Sequence, residues 1–280
     1  MRAQTSASSV EPIKLVALDI DGTLLNSQGL IPKANRRAIS RARERGVKVV
    51  LATARAFLSA VPFAQQLDLD TPLICANGAV IKDLKGIEWW SRGIDLGMAR
   101  KIAAWADAGG HALVTLVGDY IYYTWPASWA GEDWEPRSYD RVVHSNVAAL
   151  TAPPLRIIAV GEETSRALLE RFAAQTRGKV RFDRYERDGR LFSVVAVHAA
   201  ASKESALAFL CAGWGLSAAQ AMALGDNLPD LGMLHWAGIG VAMGNAPPRM
   251  HESVEWVAPS NNEAGVAWAI QRFVLDQENS

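Results

Sequence analysis

The sequence predicts an α/β fold in which a mostly parallel sheet forms the core and an α+β module is inserted midway. Three observations carry this reading. Apolar strand-like runs alternate with helix-like stretches from Leu15 to Ala76, the pattern gives way to hairpins near residue 82, and the alternation resumes at Ser202. The core is therefore expected over residues 13–82 and 198–280, the inserted module over 83–197, and a disordered tail over 1–12.

Taken in order, Leu15–Leu18 is a continuous apolar run, as expected of a strand buried on both faces. It leads into Asp19-Ile20-Asp21-Gly22-Thr23, two carboxylates one residue apart followed by a turn-forming glycine and a hydroxyl. Open α/β sheets place their ligands at such carboxyl ends of strands. Pro32 to Glu44 reads as a helix, with proline in its first turn and Gly46 just past its end. Val47–Ala52 is the second strand, Phe57 to Leu67 a helix, and Pro72–Ala76 a third strand before the turn Asn77-Gly78.

The insert opens with a short strand, Gly86–Trp90, and a helix, Leu96–Ala108. His111–Val117 and Tyr120–Trp125 flank Gly118-Asp119 as a tight hairpin, and Pro126–Pro136 is a loop rich in Trp, Pro and acids. Leu155–Val160, a helix from Glu163 to Thr176, Val180–Tyr185 and Leu191–Val197 complete it. The core then resumes with a helix over Ser202–Trp214, strand Ala221–Leu224, helix Leu228–Trp236 and strand Ile239–Met243. A short helix near Pro248, strand Val254–Ala258 and a helix from about Ala264 end the chain.

Composition narrows the function classes. Half of the 280 residues are hydrophobic and 21% are charged, an ordinary globular balance. Lys+Arg and Asp+Glu both number 29, which argues against a dedicated nucleic-acid binder. Cys75 and Cys211 sit in apolar surroundings and read as buried free thiols, which fits a reducing cytoplasm. Residues 1–11 lack an apolar signal region, and no apolar run approaches bilayer length.

Four polar features fall where predicted core elements begin or end: Asp19 with Asp21; Thr53; Lys203; and Gly225-Asp226-Asn227 with Asp230. Together they suit phosphoryl transfer. A carboxylate that attacks a phosphate monoester faces Coulomb repulsion between two anions, so positive charge must be supplied. Asp19 and Asp226 offer two carboxylates for a hard cation such as Mg²⁺. Lys203 adds a fixed charge and Thr53 a hydroxyl donor. Asp19 is then the nucleophile that forms an aspartyl-phosphate, and Asp21 the acid that protonates the leaving alcohol and later activates water.

With these motifs the chain resembles the haloacid dehalogenase superfamily, specifically its Cof-type phosphatases with an inserted cap domain. The matching runs are Asp19-Ile20-Asp21-Gly22-Thr23-Leu24-Leu25, Leu51-Ala52-Thr53-Ala54-Arg55, Ser202-Lys203-Glu204-Ser205-Ala206-Leu207 and Leu224-Gly225-Asp226-Asn227-Leu228-Pro229-Asp230. Val241-Ala242-Met243-Gly244-Asn245-Ala246 and Asn262-Glu263-Ala264-Gly265-Val266-Ala267 extend the likeness, which is weak in the insert. The resemblance implies a Rossmann-like core and a cap that closes over the site and selects the leaving group. It implies Mg²⁺ held by Asp19, the backbone carbonyl of Asp21, and Asp226. Thr53 with its neighbouring backbone becomes the phosphate clamp, Lys203 the neutralising charge, and Asp230 a supporting acid. Ile20, Thr53, Ala54, Lys203 and Asn227 are the expected substrate-binding residues.

Three positions depart from the family pattern. Ala54 and Glu204 stand where glycine is usual, and Pro229 replaces an asparagine that often contacts phosphate, with Asn227 as its stand-in. Arg55 and Asn77 fall near the same strand ends and serve equally well as structural caps. In the insert, Trp105 reads as packing, whereas Trp129 and Trp134 read as stacking platforms for a sugar or ring. The five histidines show no metal-ligand spacing.

The expected activity is thus a Mg²⁺-dependent phosphatase acting on a small phosphorylated metabolite, either a sugar phosphate or a phosphorylated cofactor. A sugar phosphomutase with the same intermediate, and a catalytically weakened phospho-ligand sensor, remain as alternatives. No nucleic-acid or membrane partner is expected, and a homodimer is admitted but not required.

Overall fold

A computed structural model of the chain describes residues 11–124, 136–187 and 189–276. The expected tail up to residue 10, and the loop carrying Trp129 and Trp134, lie outside the described residues. The polypeptide divides into two units, one comprising Met1–Ala52, Gln65–Thr71 and Leu207–Ser280, the other Thr53–Ala64 and Pro72–Ala206.

Through the first two-thirds of the chain the elements are β1 (Leu15–Leu18), α1 (Lys33–Glu44), β2 (Lys48–Leu51), α2 (Phe57–Gln66), β3 (Leu73–Cys75), β4 (Val80–Lys82) and β5 (Glu88–Ser91). They continue with α3 (Leu96–Gly109), β6 (Leu113–Val117), β7 (Tyr120–Thr124), β8 (Asp140–Val143), β9 (Arg156–Val160), α4 (Glu162–Phe172), β10 (Val180–Arg187) and β11 (Arg190–His198). The last third adds α5 (Lys203–Gly213), β12 (Ala221–Gly225), α6 (Leu231–Trp236), β13 (Ile239–Ala242), α7 (Pro248–His251), β14 (Trp256–Val257) and α8 (Gly265–Ile270).

The first unit is built on a five-stranded, wholly parallel sheet in the order β14-β13-β12-β1-β2. β1 lies between β12 and β2, and all four of its residues are inaccessible to solvent, as its uniformly apolar sequence requires. Leu18 registers with Leu224 on one side and Leu51 on the other, so the residues that follow all three strands emerge along one edge. Helix α1 buries Asn35, Ala38, Ile39 and Ala42, the 3–4 spacing of a single face. It ends where Gly46 takes φ +79° and its N–H bonds the Arg43 carbonyl. The helix expected from Leu228 opens as a 3₁₀ turn, Leu228–Asp230, before α6 begins.

The second unit carries two sheets. One is six-stranded, in the order β10-β11-β9-β6-β7-β8, and its β6–β7 hairpin turns at Gly118-Asp119 as its sequence suggests. α3 and α4 supply Ile102, Leu168 and Phe172 to a core shared with Leu113, Ile157 and Val194. Trp105 stacks on His111 and meets Phe172 edge-on, consistent with a packing role. The other sheet, β3-β4-β5, is antiparallel. β3 is followed within a few residues by β4, too short a connection for the crossover a parallel neighbour needs.

Candidate active site

Within the first unit, the chain leaving β1 folds back on itself. Leu24 N–H donates to the Asp19 carbonyl and Leu25 N–H to that of Ile20, at 3.2 and 3.0 Å. This tight loop requires Gly22 at φ +82°, and a Cβ there would lie 2.2 Å from Asp226 Oδ2. The other Asp226 oxygen accepts the Thr23 hydroxyl at 2.9 Å, so the loop after β1 clasps the acid after β12. Asn245 donates its amide to the Gly22 carbonyl at 2.8 Å and pins the same turn from the loop after β13.

The loop after β12 is shaped by Asp230, which is buried and accepts the N–H groups of Asp226 and Asn227 on Oδ2 at 3.1 and 3.0 Å. Gly225 is needed because a Cβ there would meet the Asp230 side chain at 2.4 Å. Asp19, Asp226 and Asp230 each bring a carboxylate oxygen within 4.8 Å of the others. Carboxylates about 4 Å apart repel by about 4 kcal/mol at an effective dielectric near 20, a cost that a bound cation reverses. The donors are all hard oxygens, and the glycine contacts leave no bulk between the loops. The residues present fit a divalent cation such as Mg²⁺.

The remaining expected residues of this unit take other positions. Asp21 is exposed and is not one of the three convergent acids. The Ile20 side chain is fully buried, which leaves its backbone as what it can offer a ligand. Asn227 is exposed, and its Oδ1 accepts the Leu228 N–H at 2.8 Å as a local cap. Pro229 fits the 3₁₀ turn it occupies, where a first-turn N–H is not required.

Within the second unit, Thr53 is fully buried. Its hydroxyl oxygen accepts the Arg55 N–H at 3.1 Å, so its own proton can be donated. Asn77 N–H bonds the Thr53 carbonyl at 3.0 Å. The turn that follows β3 holds Ala76, Asn77 and Gly78 all at positive φ, a conformation unfavourable for alanine. A Cβ on Gly78 would lie 2.1 Å from the Ser202 carbonyl, just before buried Lys203 at the start of α5. One strained turn therefore supports both the Thr53 loop and the Lys203 helix start.

Sequence patterning passed over several contributors. Thr23 lies inside the first motif, but its partner is 203 positions away. Arg156, at the head of β9, donates to the Ala54 carbonyl. Burial pulls the Arg156 guanidinium below its ordinary pKa, and no carboxylate is among the groups acting on it. The Tyr185 hydroxyl is pushed up mainly by burial, with the Asn77 side chain acting in the opposite direction.

The description of a haloacid dehalogenase-like hydrolase matches residues 16–270. The chain belongs to that family. As a haloacid dehalogenase-like hydrolase it has relatives along nearly its whole length. It is 29% identical over 273 residues to the 5-amino-6-(5-phospho-D-ribitylamino)uracil phosphatase YcsE of Bacillus subtilis, covering 94% of this chain and 96% of that one. It is also 29% identical over 289 residues to the phosphatase YwpJ of the same organism, covering 94% and 100%. Among solved structures, a haloacid dehalogenase-like hydrolase from B. subtilis superposes with a TM-score of 0.78 at 26% identity, covering 94% and 100%. Another from Bacteroides thetaiotaomicron gives 0.79 at 25% identity, covering 93% and 99%. The expected Cof-type membership and the fold class, a parallel-sheet core with an inserted cap, are borne out. The enzyme class read from the motifs, a phosphomonoester hydrolase of this superfamily, is the class to which these relatives are assigned.

Proposed function

We propose that the chain is a Mg²⁺-dependent phosphatase that hydrolyses a small phosphorylated metabolite through an aspartyl-phosphate. The convergence of Asp19, Asp226 and Asp230 at the ends of adjacent parallel strands carries this reading. Asp19, Asp226 and the Asp21 backbone carbonyl would hold the cation, with Asp230 fixing the loop that presents Asp226. Bound there, the cation supplies positive charge against the oxygens of the transferring phosphoryl group.

In the first step an Asp19 carboxylate oxygen attacks phosphorus as the ester bond breaks, and Asp21 gives its proton to the departing alcohol oxygen. In the second, Asp21, now a carboxylate, takes a proton from water as that water attacks phosphorus. The Asp19–phosphate bond breaks, releasing phosphate and restoring both acids. The exposure of Asp21 suits a group that must exchange protons with leaving group and solvent. Thr53 and Lys203 are assigned to hold and neutralise the phosphoryl oxygens, with the Ala54 and Ile20 backbone beside them. Thr53 directly follows Ala52, whose N–H bonds the Leu18 carbonyl just before Asp19, which supports that assignment.

The substrate class proposed is a sugar or polyol phosphate, or a phosphorylated cofactor precursor. The name of the relative YcsE, a phosphatase of a phosphoribityl compound, supports it. Incubation with p-nitrophenyl phosphate and Mg²⁺ should release phosphate, and chelation by EDTA should stop it. Asp19→Asn should lower kcat by at least about a thousandfold with an unchanged circular dichroism spectrum. Absence of turnover across a broad metabolite panel would instead favour a phospho-ligand sensor, the reading to which Pro229 lends weight. Isomerised sugar phosphate without free phosphate would indicate a mutase.

A further inference from the structure

We infer that Arg156, Tyr185 and Asn77 form a subsite that reads the hydroxyl groups of the leaving alcohol, making them specificity determinants for polyol phosphates. The inference rests on the phosphatase reading and deepens it.

The three residues come from separate elements of the second unit, namely the head of β9, the middle of β10 and the turn after β3. Two of them are tied to the proposed phosphate clamp. Arg156 bonds the Ala54 carbonyl, and the Asn77 N–H bonds that of Thr53. Tyr185 joins the set because its hydroxyl lies within electrostatic reach of Asn77, Arg156 and Lys203.

The hydrogen-bonding inventory of this cluster is incomplete in a particular way. Asn77 is buried, and its Oδ1 has no partner, the one such side-chain atom among the described residues. A buried acceptor left unpaired costs about 1–3 kcal/mol, so it calls for an incoming O–H or N–H. The Tyr185 hydroxyl can both donate and accept. Arg156 spends one donor on Ala54 and has no acidic partner among the described residues, so its other N–H groups also seek acceptors.

The subsite thus presents one acceptor and several donors side by side. A carboxylate or second phosphate, which only accepts, would leave Asn77 Oδ1 unsatisfied. An aryl ring would satisfy nothing. Adjacent hydroxyl groups, each both donor and acceptor, satisfy all three residues, and a polyol chain next to the phosphoester supplies them.

The test compares kcat/KM for ribitol 5-phosphate with that for p-nitrophenyl phosphate in the full chain with Mg²⁺. The variants are Arg156→Gln, Tyr185→Phe and Asn77→Gly, the last because glycine keeps the positive φ of the turn. The polyol-to-aryl ratio should fall about tenfold or more in each variant, mainly through KM for the polyol. A ratio that stays at the unmutated value, whether both substrates weaken together or neither does, overturns the subsite. So does an unmutated protein that cleaves the aryl phosphate but not ribitol 5-phosphate. Failure to cleave either substrate overturns the phosphatase reading itself, and the subsite with it. Thermal unfolding of each variant identifies a loss that is merely misfolding, and in that case Arg156→Lys, which keeps the charge and loses the fork, must reproduce the ratio change or the subsite is overturned.

Discussion

Gly22 shows how much of the proposed chemistry rests on an absent side chain. Its positive φ and its contact with Asp226 mean that Gly22→Ala must either strain the loop or displace the carboxylate. The Mg²⁺ concentration for half-maximal phosphatase activity should rise at least about tenfold in that variant, and an unchanged Mg²⁺ titration would separate the glycine from metal binding. At this scale the sequence was readable where chemistry is local. Asp19, Asp21 and Gly22 lie within four consecutive positions, and Asp226 and Asp230 within five. The clasp of Asp226 by Thr23 and the bond from Arg156 to Ala54 were not readable, because they join positions 203 and 102 apart. The double acceptance by Asp230 was hidden for another reason. An acid early in a helix has an ordinary dipole role, and only the loop geometry shows that it holds two backbone N–H groups.

At the scale of elements, the strands of the parallel sheet were legible because each is a short apolar run bounded by turn residues. β4 and β8 were not, since Val80–Lys82 runs straight on from the Asn77-Gly78 turn and Asp140–Val143 opens on two charged residues. β4 also places a lysine in the interior. Lys82 is nearly buried, its ammonium meets Asp119 at 2.7 Å, and it lies 5.5 Å from the centroid of the Phe57 ring. The pair links the end of β4 to the β6–β7 turn. Asp119→Ala leaves the ammonium desolvated without its counter-ion and should cost roughly 3 kcal/mol in urea unfolding. Lys82→Met removes the charge along with the need for a partner and should cost far less. If Lys82→Met proves the more damaging, the aliphatic packing and cation–π contact outweigh the ion pair.

Over the whole molecule, each unit holds one cysteine, which permits their unfolding to be followed separately. Burial pushes the Cys75 thiol up to about 12 and the Cys211 thiol up to about 11. A raised pKa means the thiolate is disfavoured in the fold and returns when burial is lost, so at pH 8.5 labelling by a thiolate-specific reagent requires opening. Cys211 should label with the first unit and Cys75 with the second as urea rises; coincident midpoints would show that they open as one cooperative body. The place of β1 between β12 and β2 has a further consequence, one concerned with time. The strand that carries Asp19 needs β12 beside it, and its following loop is held by Asn245, by Asn261 through the Leu25 carbonyl, and by Asn35, which bonds both the Leu24 carbonyl and the Ala267 N–H. A ribosome therefore makes this loop well before the side chains, 223 and 236 positions further on, that hold it. Until those side chains have emerged and folded, the proposed nucleophile Asp19 is not yet poised.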